Sequence, residues 1–281
     1  MHVVHAVAVQ EGRVLQRAGD PELVTYMRSS AKPLQALPLA RARDDLEERD
    51  LAIASASHRA WPDQLEAVRA LLAKAEATED DLECGPEDGS RLRHNCSGKH
   101  AGMLALCRAR GWSTPGYRLA GHPVQEGCRA EVAAAAEVDA SNMATTVDGC
   151  GVITFALPLE RMAYAFSRLE SLDAGARVAA AMRAHPELIC GGDGADTLLM
   201  EAAPGWTAKG GAEGLLCAAG PDGVGVALKV VDGSIRGLRP ALGAFLERLG
   251  LGGQTFAAAG LGPLPLLNSR GEKCGEIVTE L

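Results

Sequence analysis

Strand-like patterning sits at the two ends of this chain, and helical periodicity fills the middle. Residues 3–9 and 13–18 are short apolar runs on either side of Glu11-Gly12, a hairpin signal, and 23–27 is a third candidate strand. Towards the other end, the apolar segment entered from Lys209-Gly210-Gly211, the run 223–231 and a short edge strand around 275–278 carry the remaining strand signals. Helices are expected over 32–43, 62–76, 97–110, 123–137, 158–170, 173–184 and 237–249. A chain with no regular βαβ alternation has no parallel sheet to build. The expected fold is therefore α+β, an antiparallel sheet covered by helices. The 281 residues suit one domain, 1–281, with no linker, repeat or low-complexity segment. Only 4% are aromatic, so the core must rest on aliphatic packing.

The formal net charge of −8 and the lack of any basic patch with interleaved aromatics argue against nucleic acid as a partner. No apolar run approaches membrane-spanning length. The segment Met1–Val7 lacks a basic n-region and reads as a strand rather than a signal peptide, which makes the cytoplasm the expected location. The eight cysteines include no Cys-x-x-Cys pair and are not spaced like a secreted disulfide framework. Buried thiols, metal ligands or reactive groups are the expected roles.

Chemistry concentrates in five short stretches. Arg28-Ser29-Ser30-Ala31-Lys32-Pro33 holds Ser-x-x-Lys, which at a helix start puts hydroxyl and amine on one face. A lysine kept neutral by burial or a neighbouring cation could take the serine proton. Ser29 is equally suited to be a helix N-cap. An apolar segment ends in Ser57-His58 just before a helix, where side chains can project into a cleft or bond the local backbone. In His94-Asn95-Cys96-Ser97-Gly98-Lys99-His100, spacing pairs Cys96 with His100 as i, i+4 metal ligands. Asp148-Gly149-Cys150-Gly151 brackets a thiol with glycines, as an exposed ligand or as a buried turn. Lys209-Gly210-Gly211 looks like a strand edge left open for a ligand.

Together and in this order, these motifs resemble the L-asparaginase II family, the zinc-containing class, from the first strand to the Gly275-Glu276-Ile277 tail. The resemblance implies a fold like serine β-lactamases and glutaminases, and two Ser–Lys tandems: Ser29 with Lys32, and Ser57 with Lys209. It implies a Zn2+ site on Cys96, Lys99 and Cys150, replacing His100 of the spacing argument with Lys99. It implies hydrolysis of the L-asparagine side-chain amide, with Ser29 as nucleophile, and a homodimer. Backbone N–H groups at Ser29 and near Gly210 are oxyanion candidates. Arg28, His58, His100 and Asp148 are candidates for binding the amino-acid head group or supporting it. Arg28 could clamp a carboxylate or instead pair with a nearby Asp or Glu. The family more often carries Ser-Gly-Glu after Ser-His where this chain has Arg59-Ala60-Trp61, which bears on substrate preference.

Three other functions compete. A β-lactamase-like acyl transferase accounts for Ser-x-x-Lys and Lys-Gly-Gly but leaves the two cysteine motifs unexplained. A zinc-stabilised amino-acid-binding protein would not need Ser29. Glutaminase differs from asparaginase by one substrate methylene, worth about 1–3 kcal/mol of discrimination.

Overall fold

The computed structural model describes residues 1–252 and 254–280. Its main sheet is antiparallel and five-stranded. The strands are β1 (Val4–Gln10), β2 (Arg13–Ala18), β6 (Thr207–Gly211), β7 (Leu215–Ala219) and β8 (Gly225–Val230), in the order β2-β1-β8-β7-β6. The first strand thus lies beside one from late in the chain, with Val4 opposite Val230 and Val9 opposite Gly225. Every residue of β7 and β8 is buried, so both faces of these central strands are covered. Edge strand β2 alternates towards solvent instead. A smaller sheet runs in the order β3-β5-β4, from β3 (Val24–Tyr26), β4 (Thr145–Val147) and β5 (Ile153–Pro158).

The helices arise largely where periodicity and proline placed them. Pro62 and Pro123 each open a helix, α4 (Pro62–Lys74) and α6 (Pro123–Ala136), in the first turn where a missing N–H is harmless. The stretch expected as one helix over 32–43 is two, α1 (Lys32–Gln35) and α2 (Leu37–Ala42), each carrying a proline in its first turn. The second proline, Pro38, removes an N–H that a continuous helix would need. A 3₁₀ turn over Arg28–Ala31 precedes them. α3 (Glu48–Ala54) and α5 (Ser97–Arg110) form the centre of the helical half, with α3 packed on α4, α5, α8 (Gly175–Ala184) and α9 (Pro186–Ile189). α5 buries every residue from Ser97 to Cys107. Gly98 explains how closely it can lie on α3: a Cβ there would meet the Ile53 carbonyl oxygen at 2.2 Å. α7 (Leu159–Ser167) packs across β1, β7 and β8, while α10 (Ala195–Ala202) lies on β6 and α11 (Leu238–Arg248) on β8.

The tail departs from expectation. Its strand, β10 (Lys273–Ile277), adds to neither sheet. It pairs with β9 (Leu264–Leu267) as a separate two-stranded hairpin. The architecture is α+β, antiparallel sheets packed with helices, as the sequence pattern implied.

Candidate active site

Five chain segments meet at one cavity of about 420 Å³. The 3₁₀ turn supplies Ser29, the segment after α3 supplies Ser57, and the segment before α5 supplies Asn95. The N-terminus of α10 supplies Asp196, and edge strand β6 supplies Lys209, Gly210 and Gly211. Gly211 makes the meeting possible, because a Cβ there would lie 2.8 Å from both the Met27 carbonyl oxygen and Ser30 Oγ. A side chain would push the turn away from the strand. The Lys-Gly-Gly motif is therefore a close-approach device as well as an open edge.

The turn itself is held under strain. Arg28 has φ +50°, a left-handed conformation unfavourable for a long side chain. Three bonds hold it there. Its N–H donates to Thr154 Oγ1 (2.9 Å), its Nε to Asp148 Oδ1 (2.6 Å) and its Nη1 to Glu213 Oε1 (2.9 Å). Of the two alternatives for Arg28, the structure presents the ion pair. Its guanidinium is engaged by two carboxylates and does not line the cavity. The strained turn separates the two serines that follow. Ser30 is fully buried and donates to the Lys209 carbonyl (3.0 Å), tying turn to strand. Ser29 faces the cavity, and its Oγ makes no hydrogen bond among the described residues.

Lys32 is fully buried, and its amine donates to Ser57 Oγ (2.9 Å) and to the Ala56 carbonyl. Ser57 is pinned by its own N–H, which donates to the Ile189 carbonyl (2.7 Å), while the next N–H donates to the Asn95 carbonyl (3.1 Å). The one hydrogen bond between a serine and a lysine side chain among the described residues thus crosses the expected tandems, joining Lys32 to Ser57. Burial pulls the Lys32 pKa down to about 8, with the charges of Lys99 and Lys209 adding to the effect against the Cys96 thiol. An amine at that value is poised for proton transfer near neutral pH.

Lys209 points elsewhere. Its Nζ bonds Asp196 Oδ2 (3.3 Å) and the Gly210 carbonyl (2.7 Å). Asp196 is buried and also accepts the Gly210 N–H (2.8 Å), which is thereby engaged rather than open to an oxyanion. Asp196 is absent from the residues that the sequence motifs pointed to. Its signal was the turn Gly191-Gly192-Asp193-Gly194-Ala195-Asp196, where a carboxylate sits at a helix start.

The residues expected to bind metal do gather. Cys96, Lys99 and Cys150 are all buried, and Lys99 Nζ donates to Cys150 Sγ (3.1 Å). A hydrogen bond from Cys96 draws the Cys150 pKa down to about 4, against burial and with help from the Lys99 charge. Burial opposes the charge on Lys99, yet the two thiols and Asp148 outweigh it and raise its pKa. Asp148 is held low in turn: burial resists, and Lys99 and Arg28 prevail. Among the described residues no three His, Cys, Asp or Glu side chains form a metal-binding group; this cluster counts two thiols and an amine.

The two histidines take buried positions away from the cavity lining. His58 Nδ1 accepts the Ala60 N–H (3.1 Å), which leaves Nε2 to donate to Ser97 Oγ (2.8 Å). Burial, with the Lys32 charge, pulls its pKa to about 3. His100 Nδ1 pairs with the Tyr117 hydroxyl (2.6 Å), and burial likewise lowers its pKa to about 3.

Comparison with known proteins bears on this arrangement. A solved structure described as Mglu in its native form superimposes with a TM-score of 0.52 at 13% identity, over 89% of this chain and 64% of that one. A second Mglu structure is 15% identical over 89% of this chain and 67% of that one, with a TM-score of 0.41. At such identity the first likeness speaks for the fold alone, and the chain spans less than two thirds of that structure's length. No curated protein matches the sequence. The family model for L-asparaginase II matches residues 1–279, nearly the whole length and every segment that reaches the cavity, so the chain belongs to the L-asparaginase II family.

Proposed function

We propose that this protein is an amidohydrolase that converts L-asparagine to L-aspartate and ammonia through a serine acyl-enzyme. The observation that carries this reading is the buried Lys32 amine, near pKa 8, hydrogen-bonded to a serine that shares a cavity with Ser29. Ser29 attacks the amide carbon. Its strained turn and unbonded hydroxyl favour it, as strain does wherever a nucleophile is presented at a sharp turn. Ser57 relays the Ser29 proton to neutral Lys32, and Lys32 returns it to the departing nitrogen. The C–N bond breaks, ammonia leaves and an ester links Ser29 to the aspartyl group. Water, deprotonated by the same relay, then cleaves that ester. Lys209, anchored by Asp196 at the cavity wall, adds to the lowering of the Lys32 pKa. A second assignment, with Ser57 as nucleophile, is favoured by the direct Lys32–Ser57 bond.

The donor set at Cys96, Lys99 and Cys150 fits zinc: two thiols, one already acidic, with an amine in contact. Those three residues would hold it, the lysine after losing its proton. When bound, zinc supplies a Lewis-acidic positive charge beside the site. We further propose a homodimer located in the cytoplasm.

The test is ammonia release from L-asparagine and L-glutamine by wild type, Ser29→Ala and Ser57→Ala, with bound metal measured on the same samples. Trapped acyl-enzyme is located by mass spectrometry. Asparagine-selective release, lost in Ser29→Ala with metal retained and with the adduct on Ser29, is the expected result. An adduct on Ser57 moves the nucleophile. No release from either amide by metal-loaded wild type overturns the proposed activity.

A further inference from the structure

The cavity is larger and more positive than asparagine requires. Its 420 Å³ falls in the range of about 300–1,000 Å³ typical of sites for drug-sized ligands, whereas asparagine brings only about nine non-hydrogen atoms. Besides the serines, the cavity is lined by residues from late in the chain. Leu216, Ile235, Leu238 and Leu264 give this part an aliphatic wall. Ile235 is 70% exposed, a large apolar side chain with nothing over it. Asparagine has no apolar group to place there.

Charge points the same way. Arg59, Arg236 and Arg239 all line the cavity. Arg59 binds Asp193 at 2.6 Å, and Arg239 approaches the other oxygen of the same carboxylate at 3.9 Å. Arg236 pairs with no carboxylate among the described residues. Three guanidiniums against one aspartate leave two positive charges uncompensated, because Asp196 is already committed to Lys209. Arg28 could have met a substrate carboxylate, but Asp148 and Glu213 occupy it. Asparagine carries a single carboxylate and no net charge. A ligand matching this cavity carries two carboxylates and an aliphatic group between them and the wall.

Resting on the serine acyl-transfer reading above, we propose that the preferred substrate class is β-aspartyl dipeptides with an aliphatic second residue. The acyl half is the same aspartyl group that asparagine presents. The leaving group is an amino acid in place of ammonia: its side chain covers Ile235 and Leu264, and its carboxylate meets the arginines. The step balances as before. The Ser29 Oγ–carbon bond forms, the bond from carbon to the second residue's nitrogen breaks, and that nitrogen leaves with the proton Lys32 held. Water then releases aspartate.

The experiment measures leucine release from β-aspartyl-leucine and ammonia release from asparagine by the same metal-quantified protein, with β-aspartyl-glycine for comparison. The expected result is a kcat/KM for β-aspartyl-leucine at least tenfold above that for asparagine, with β-aspartyl-glycine between. Arg236→Ala and Ile235→Asp should each lower the dipeptide-to-asparagine ratio at least tenfold. Asparagine turnover equal to or above dipeptide turnover overturns this inference and leaves the proposed activity standing. Failure on all three substrates overturns both. Dipeptide turnover with a ratio indifferent to both substitutions overturns the assignment of this part of the cavity.

Discussion

Lys32, bonded to the cavity's Ser57, and Lys209, on the cavity wall, are both buried lysines, yet their surroundings divide the work between them. Lys32 has a hydroxyl and a carbonyl for company and a pKa lowered to about 8. Lys209 has a buried carboxylate. An amine that must be neutral to act as base gains activity as pH rises through its own pKa. The rate should therefore climb along a limb centred near pH 8, not near the usual lysine value of 10.5. A pH profile of kcat/KM checks this, and a flat profile between pH 7 and 9 would count against Lys32 as the base. Asp196→Asn keeps an acceptor for the Gly210 N–H but removes the charge that anchors Lys209. It should lower kcat by roughly 10–100-fold and, by leaving the buried Lys209 amine without its partner, lower the melting temperature as well; an unchanged kcat would reduce Asp196 to a backbone brace. The sequence exposed Ser29, Lys32, Ser57 and Lys209 as residue types at telling positions, but not who bonds whom. The Lys32–Ser57 bond spans 25 positions, and that pairing depends on how the segment after α3 is pinned to Ile189 and Asn95, contacts with no local pattern.

At the scale of elements, α5 carries Cys96 at its N-cap and Lys99 in its first turn, so whatever sets its depth sets the thiol–amine cluster. Gly98 sets that depth against the Ile53 carbonyl. Gly98→Ala forces backbone against backbone and should destabilise by about 1–3 kcal/mol or more, and should displace the thiol–amine cluster proposed to hold zinc. Gly102→Ala, one turn on, meets only the Ala54 and Leu39 side chains at 3.0 and 3.1 Å and should do less harm. Denaturant midpoints for the two variants decide it; equal losses would show that α5 can shift freely. Small residues at 98, 101 and 102 marked this helix as central from the sequence, because close approach leaves a compositional trace. The split at Pro38 and the separate hairpin at the tail were not legible in the same way. The tail strand has ordinary β patterning, and only its partner's position shows that it joins no larger sheet.

For the molecule as a whole, the buried histidines make acid a threat. His58 stays neutral in the folded chain down to about pH 3, while an unfolded chain takes up a proton below about 6.5. The unfolded state binds more protons throughout that window. Stability should thus be full above pH 6.5 and fall as pH drops, by about 1.4 kcal/mol per unit for this one group. Urea midpoints at pH 7 and pH 5 should diverge in wild type and converge partly in His58→Asn; identical pH slopes would exclude His58 as the source. The α+β architecture itself was readable because strand signals at the two ends and helices between them permit few other arrangements.

The pairing of β1 with β8 also has a consequence in time. Val4 meets Val230, so the main sheet closes a loop of most of the chain, and β6, with Lys209 on it, joins that sheet through β7 and β8. Local helices such as α4 and α6 can form as soon as they are made. Ser29, Ser57 and Cys96 will have left the ribosome long before Lys209 exists to complete their surroundings. A nascent chain stalled short of residue 230 is therefore rich in helix and has no assembled cavity, and catalysis begins only once synthesis is nearly done.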